Sequence, residues 1–149
     1  MNASDLAEIE GIKRLKARYF RLLDTKQWDA WRELFTDDFT GEVHGPHPVI
    51  HFASPVEMVA TNRKVLSEAP TVHHGHMPEI DLTGPDSAKG VWAMVDVVKL
   101  GAGFVGYGHY HEEYRKQDGH WRISRMTITR LHVEQASEPP DSTASSKSG

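Results

Sequence analysis

Apolar side chains recur at three- and four-residue steps near the start of the chain. This pattern predicts an amphipathic helix from Asp5 to Asp24, with Ser4 as its N-cap. Charged residues, Lys16 among them, fall largely between these steps and are expected to form the polar face. The apolar stripe consists of Ile9, Ile12, Leu15, Tyr19, Leu22 and Leu23.

Two further helices are predicted by shorter patterns. A second, short helix is expected at Trp28–Leu34, and a third at Val56–Leu66 with Pro55 in its first turn. Between them, the segment FTDDFTGEVHG is typical of a turn followed by a short strand.

From Thr71 onward, polar and apolar residues alternate in long runs separated by the turns TGPDS, GAG and QDG. This pattern predicts four consecutive antiparallel strands, with glycines that allow strong bending. The polar segment 135–149 is predicted to be a disordered tail.

Helices followed by a long curved sheet indicate an α+β fold. We expect one domain over residues 1–134, a cone-shaped α+β barrel with three N-terminal helices packed on a strongly curved, mainly antiparallel sheet. Such a half-cone closes at one end and leaves a pocket at the other, which favours a small-molecule site.

Composition narrows the chemistry. The chain has 149 residues, a formal net charge of -4, ten histidines and no cysteine. The missing cysteine excludes a disulfide framework, a thiolate nucleophile and any cysteine-ligated metal. The sequence has no basic face for nucleic acid, no apolar run for a membrane and no signal-peptide pattern, so a cytoplasmic protein is expected. Nucleotide-binding motifs are also missing, which favours cofactor-free acid–base chemistry.

Asp24, at the end of the first helix, and His73, at the start of the first long strand, are the candidates for that chemistry. An imidazole held by a carboxylate is the usual general base near neutral pH. The alternatives are a solvated aspartate that opens the turn before Trp28 and a strand-end histidine bound to backbone or water. Strand alternation places His73 on the same face as Gly75 and Met77.

Four other histidines form two pairs, each on one face of a strand. The pairs are His74 with His76 and His109 with His111. A metal held by all four is one hypothesis, but the carboxylate ligand at a fixed offset is missing, so no metal site is predicted. We expect these histidines on an outward or interfacial face.

The pattern of residues along the second long strand predicts a pocket wall. Its alternating residues are Trp92, Met94, Asp96 and Val98, faced by Tyr110 from the third long strand. Such a lining suits a flat or aromatic substrate, and ordinary core packing is the alternative. The pocket volume is expected to depend on Phe39, Phe52, Met58, Met94 and Met126. Whether the loop from His44 to His51 covers the pocket is left open.

The motifs LLDTKQWDAWRELFTDD, TVHHGHMPEI and YRKQDGHWRI, in this order, resemble the SnoaL-like branch of the nuclear transport factor two superfamily. That branch includes scytalone dehydratase, bile-acid dehydratases and hexachlorocyclohexane dehydrochlorinase. The resemblance implies that Asp24 and His73 hold the positions of the catalytic aspartate and histidine. It also implies that Tyr19 faces the pocket and that Tyr110 holds an aligned polar position.

Two positions depart from scytalone dehydratase. Leu23 and a site near Val43 stand where that enzyme has tyrosines, which argues against scytalone as the substrate. Tyr110 is expected to supply a hydroxyl from another wall.

The resemblance implies a lyase that needs no cofactor. His73, oriented by Asp24, would remove a proton from a hydrophobic, aromatic, hydroxylated small molecule, while Tyr19 or Tyr110 donates a hydrogen bond. Water, or a small aldehyde by retro-aldol cleavage, would then leave. The alternatives are a ketosteroid-isomerase-like enzyme using Asp96 with Tyr110, and a non-catalytic binding or assembly module. A homo-oligomer is expected, with a trimer favoured over a dimer.

Overall fold

The computed structural model describes residues 1–135, which contain three helices. They are α1 (Ala3–Asp24), α2 (Trp28–Arg32) and α3 (Pro55–Leu66). As predicted, α1 ends at Asp24 and α3 has Pro55 in its first turn. The predicted disorder lies outside the described residues except at Gln135, which belongs to the last strand.

The start of α1 corrects one prediction. The N-cap is Asn2 and not Ser4, because the Asn2 side chain accepts a hydrogen bond of 2.8 Å from the backbone of Asp5. The Asp5 carboxylate in turn accepts from the backbone of Asn2 at 3.1 Å. This reciprocal pair satisfies two amide groups that would otherwise lack partners, whereas Ser4 lies within the first turn.

Six strands form one open, curved sheet. They are β1 (Phe35–Val43), β2 (Ile50–Phe52), β3 (Thr71–Gly84), β4 (Ser87–Val98), β5 (Phe104–Gln117) and β6 (His120–Gln135). The order across the sheet is β2-β1-β6-β5-β4-β3. Strands β3 to β6 are the four consecutive antiparallel strands that the sequence predicts.

Strand β1 replaces the predicted turn and short strand. Helix α2 ends at Arg32, earlier than predicted, and β1 begins three residues later at Phe35. Strand β1 pairs in parallel with β6 and antiparallel with β2. The two aspartates of TDDF favour a turn locally, but pairing with β6 and burial of Phe35 and Phe39 override that preference.

Glycine and a bulge shape β3 where it meets α1. A Cβ atom on Gly75 would lie 2.7 Å from the ring of Phe20, so glycine permits the close approach of the helix. The pairing with β4 then shifts between His76 and Glu79. Met77 has a positive φ of 42° and is 89% exposed, so the prediction that it shares the inner face with His73 is wrong.

The core lies between the helices and the concave face of the sheet. Tyr19 packs against Trp31 and Phe35, with ring centroids 5.6 Å and 6.0 Å away. Lys16, expected on the polar face of α1, is fully buried in this core. The helices therefore cover the concave face and leave a cavity at one end.

Candidate functional site

A cavity of about 270 Å³ opens between α1, α3 and the concave face of the sheet. Its wall is mainly apolar and includes Leu23, Phe52, Met58 and Met126. The polar wall residues include Tyr19, His73, Asp96, Tyr110 and Arg130. An apolar cavity with a few convergent polar groups is the usual form of a small-molecule site.

His73 and Asp24 form the pair that the sequence predicts. Nδ1 of His73 lies 2.7 Å from Oδ1 of Asp24, and the backbone N–H of His73 donates to Oδ2 at 2.8 Å. The hydrogen bond to Asp24 assigns the proton of a neutral ring to Nδ1 and leaves Nε2 as an acceptor. His73 itself belongs to the cavity wall.

The end of α1 and the start of β3 together hold Asp24. The helix C-terminus gives an anion no help, so side chains and backbone must supply the donors. Thr71 donates its hydroxyl to Oδ1 of Asp24 at 3.0 Å, and Lys26 donates to that Thr71 hydroxyl at 2.8 Å. Burial alone would raise the pKa of Asp24, but the hydrogen bonds from the side chain and backbone of His73 and from Thr71 outweigh it and lower the pKa. Asp24 is therefore ionised.

A second charged pair lies in the wall next to His73. The two terminal nitrogens of the Arg130 guanidinium each donate to one carboxylate oxygen of Asp96, Nη1 to Oδ1 at 2.7 Å and Nη2 to Oδ2 at 2.8 Å. Asp96 is directly opposite His73 in the pairing of β3 with β4. A Cβ atom on Gly106 would overlap both partners of the ion pair, so this glycine makes room for it.

Arg130 is a charged residue of the cavity wall that the sequence analysis did not predict. Burial disfavours its charge, but the hydrogen bonds and charge of Asp96 outweigh burial and raise the pKa of Arg130. The alternation of side chains along β6 could have predicted that Arg130 faces the cavity, because it follows Met126 and Ile128 at two-residue steps. A charged residue in a strand is normally assigned to solvent, so Arg130 was not considered as a site residue.

Two buried tyrosines also belong to the cavity wall. Tyr19 and Tyr110 are both buried, with ring centroids 5.8 Å apart. Burial is the largest cause that raises the pKa of each phenol, so both hydroxyls stay protonated and can donate hydrogen bonds. The indole Nε1 of Trp31, which also lies in the wall, has no hydrogen-bond partner among residues 1–135.

The sequence profile of a family described as SnoaL-like domain matches residues 4–127. The chain belongs to the SnoaL-like domain family. The match confirms the SnoaL-like resemblance that the motifs predict, and the observed fold is the cone-shaped α+β fold that was expected from it.

Three proteins illustrate what this SnoaL-like chain is similar to. The protein named Probable cyclase FGR4 from Gibberella zeae is 26% identical, over 81% of this chain and 89% of its own. A protein provisionally named scytalone dehydratase from Novosphingobium aromaticivorans DSM 12444 has a TM-score of 0.80 at 20% identity, covering 93% and 94% of the two chains. Hexachlorocyclohexane dehydrochlorinase LinA-type3 from Novosphingobium barchaimii LL02 has a TM-score of 0.75 at 18% identity, covering 91% and 97%.

Several predicted pocket residues lie outside the cavity wall of this SnoaL-like protein. Met126 lines the cavity, but Trp92, Met94 and Phe39 are buried elsewhere in the core. Trp92 donates its indole N–H to the hydroxyl of Tyr114 at 2.9 Å. Any effect of these three side chains on a ligand would therefore be indirect.

The remaining histidines lie on the other face of the sheet or in a loop. His74 and His76 are exposed, with ring centroids 6.0 Å apart, and those of His109 and His111 are 6.1 Å apart. Within residues 1–135, no group of three or more His, Asp or Glu side chains is placed to hold a metal ion. His47 and Ile50 belong to the cavity wall, so the segment from His44 to His51, whose last two residues begin strand β2, forms part of the site.

None of the three helices in the described part of the chain is long and apolar enough to cross a lipid bilayer.

Proposed function

We propose that this SnoaL-like protein is a cofactor-independent lyase whose general base is His73. The observation that carries the proposal is the 2.7 Å contact between His73 and Asp24 at the wall of an apolar cavity. The names of two structural neighbours, a dehydratase and a dehydrochlorinase, support an elimination.

The reaction begins with proton transfer. Nε2 of His73 takes a proton from a carbon next to a carbonyl group, and the carboxylate of Asp24 stabilises the imidazolium that forms. The electron pair of the broken C–H bond forms the new double bond, and the C–O bond to a hydroxyl group breaks. That hydroxyl leaves as water after taking a proton from the imidazolium, which restores neutral His73.

Retro-aldol cleavage is the second form of the same chemistry. There, His73 takes the proton of a substrate hydroxyl, a C–C bond breaks to release a small aldehyde, and the proton returns to the carbanion. In both forms the developing negative charge lies on the substrate's carbonyl oxygen. Tyr19 and Tyr110 are protonated donors of the cavity wall and would bind that oxygen.

The cavity also suggests the substrate class. Both oxygens of Asp96 are bound by Arg130, so this pair adds polar groups to the wall but little net charge. The rest of the wall is mainly apolar. A neutral, hydrophobic and hydroxylated molecule, aromatic in our proposal, fits this distribution.

The isomerase alternative depends on Asp96 as a base. Because both of its oxygens accept hydrogen bonds from Arg130, Asp96 is poorly suited to remove a proton from carbon. Isomerisation and simple binding therefore serve as the competing outcomes of the test.

The test incubates the protein with aromatic hydroxy-ketones, which have the carbonyl group that the mechanism needs, and follows product mass. We expect loss of water or formaldehyde, and we expect His73→Ala to lower turnover at least about a hundredfold because the general base is gone. His74→Ala is the matched control, since it removes the neighbouring exposed histidine. A product of unchanged mass would indicate an isomerase, and a folded His73→Ala variant with normal turnover would refute the proposal.

A further inference from the structure

Lys16 is a fully buried charge that the proposed mechanism does not use. Its Nζ donates to Oε2 of Glu112 at 2.9 Å, and both side chains have no exposed surface. Tyr114 donates its hydroxyl to the other oxygen of Glu112 at 2.9 Å, and Trp92 donates to that hydroxyl. The network therefore satisfies both oxygens of the carboxylate.

The ammonium group also lies against the faces of two tyrosines of the cavity wall. Nζ of Lys16 is 3.7 Å from the ring centroid of Tyr19 and 3.5 Å from that of Tyr110. The ring centroid of Phe20 lies 4.9 Å from the same Nζ atom. Lys16 does not itself line the cavity, so it can act on a ligand only through the two phenols.

Stability alone gives little reason for such an arrangement. A buried ion pair loses the hydration of both charges, and well-packed apolar residues in its place are often equally stable or more stable. A cation over an aromatic ring, in contrast, draws electron density from it. Because Lys16 is fully buried, its charge and a negative charge developing nearby attract each other with little screening.

We propose that Lys16 is a positioning residue: its ammonium fixes Tyr19 and Tyr110 and strengthens their hydroxyls as donors to a ligand oxygen that carries negative charge. This inference rests on the proposed function, in which these hydroxyls bind the oxygen of the substrate. Glu112 balances the charge of Lys16, so the core holds the cation without a net charge.

The protonation states agree with this role. Burial lowers the pKa of Lys16 to about 8 even though Glu112 opposes the change, so the ammonium is present at neutral pH. Burial, followed by the charge of Glu112, raises the pKa of Tyr19, which keeps its hydroxyl protonated.

The test compares an anionic with a neutral ligand of similar shape. Dissociation constants are measured by calorimetry for 4-nitrophenolate and for nitrobenzene, which binds without a phenolate oxygen. The variant combines Lys16→Met with Glu112→Gln, because removing the lysine alone would leave a buried carboxylate unpaired. Lys13→Met is the matched control, since Lys13 lies one turn earlier on α1 and is exposed.

We expect the wild type and Lys13→Met to prefer the phenolate equally. In the double variant, the ratio of the affinity for 4-nitrophenolate to that for nitrobenzene should fall about tenfold, while the affinity for nitrobenzene stays the same. An unchanged preference in the folded double variant would overturn the proposal. An equal loss of affinity for both ligands would also overturn the proposal, because that result would show that Lys16 has only a packing role.

A second variant protects the test against a folding defect. Tyr19→Phe combined with Tyr110→Phe removes both hydroxyls but leaves both rings on Lys16, and the same loss of preference is expected. If this variant kept the preference, the hydroxyls would not carry it and the proposal would be wrong. These measurements need no turnover, so a failed substrate screen contradicts only the proposed function.

Discussion

At the level of single residues, the charges around the cavity occur in contacting pairs. Asp24 contacts His73, and Asp96 is bound by Arg130 through both of its oxygens. Paired groups give a site strong hydrogen-bond donors and acceptors without a large net charge. The arrangement therefore favours a neutral substrate on which charge develops only during the reaction.

The first prediction concerns the contribution of Asp24 to stability. Its pKa in the folded protein lies below the ordinary value of 3.8, although burial acts in the opposite direction. The folded state therefore binds fewer protons than the unfolded chain in that range. The contribution is complete above the ordinary pKa and is lost as the pH falls through the lowered value.

Urea unfolding measured from about pH 6 to about pH 3 checks this. The free energy of unfolding of Asp24→Asn should fall less steeply with decreasing pH than that of the wild type. Asp37→Asn is the control, because the side chain of Asp37 is fully exposed. Parallel acid curves for the wild type and Asp24→Asn would contradict the prediction.

At this scale the contact between Asp24 and His73 could be predicted, and the buried charges could not. The contact was expected from the places of both residues at element ends and from the resemblance, and their catalytic role remains a proposal. Lys16 and Arg130 were missed, because a charged residue in an amphipathic pattern is normally assigned to solvent. Their burial depends on Glu112 and Asp96, distant partners that local periodicity does not reveal.

At the level of elements, α1 carries much of the site. Lys16, Tyr19 and Leu23 follow one another at three- and four-residue steps on its buried face, and Asp24 ends the helix. Strand β3 supplies His73 close to the point where Gly75 meets Phe20. The distance between Asp24 and His73 therefore depends on how closely α1 lies on β3.

The second prediction tests this contact with Gly75→Ala. The added methyl group would lie 2.7 Å and 2.9 Å from two ring atoms of Phe20 and 3.2 Å from the ring of Trp92. We expect a loss of about 1–3 kcal/mol in unfolding free energy, because the helix must move away from the strand. Urea unfolding measures this loss.

A compensating variant serves as the control. Phe20→Leu combined with Gly75→Ala removes the ring from the contact and should recover part of the lost stability. If Gly75→Ala were as stable as the wild type, the close approach would not be a constraint.

Long patterns were predicted better than short ones. Strands β3 to β6 have long alternating runs and clear turns, and the sequence identified all four. The first part of strand β1 was predicted as a turn before a short strand, because its pairing with β6 joins segments distant in sequence. The N-cap was misplaced by two residues because both Asn2 and Ser4 are good capping residues, and only the contact with Asp5 distinguishes them.

At the level of the whole molecule, the outer face of the sheet carries none of the three helices found in residues 1–135. Valines lie side by side on it, since Val72 pairs with Val97 and Val97 pairs with Val105 on three neighbouring strands. Val72 is 45% exposed. A contiguous row of apolar side chains on a surface often marks a contact with another protein chain.

The third prediction is that this face joins copies of the chain, with a trimer favoured over a dimer. Light scattering after size exclusion should give a multiple of the 16.8 kDa chain mass. Val97→Glu should shift the mass toward the monomer, because a charge would be buried between copies. Val56→Glu, on the 67% exposed position of α3, should leave the mass unchanged. A monomeric wild type, or a Val97→Glu variant with the wild-type mass, would exclude an interface through this row of valines.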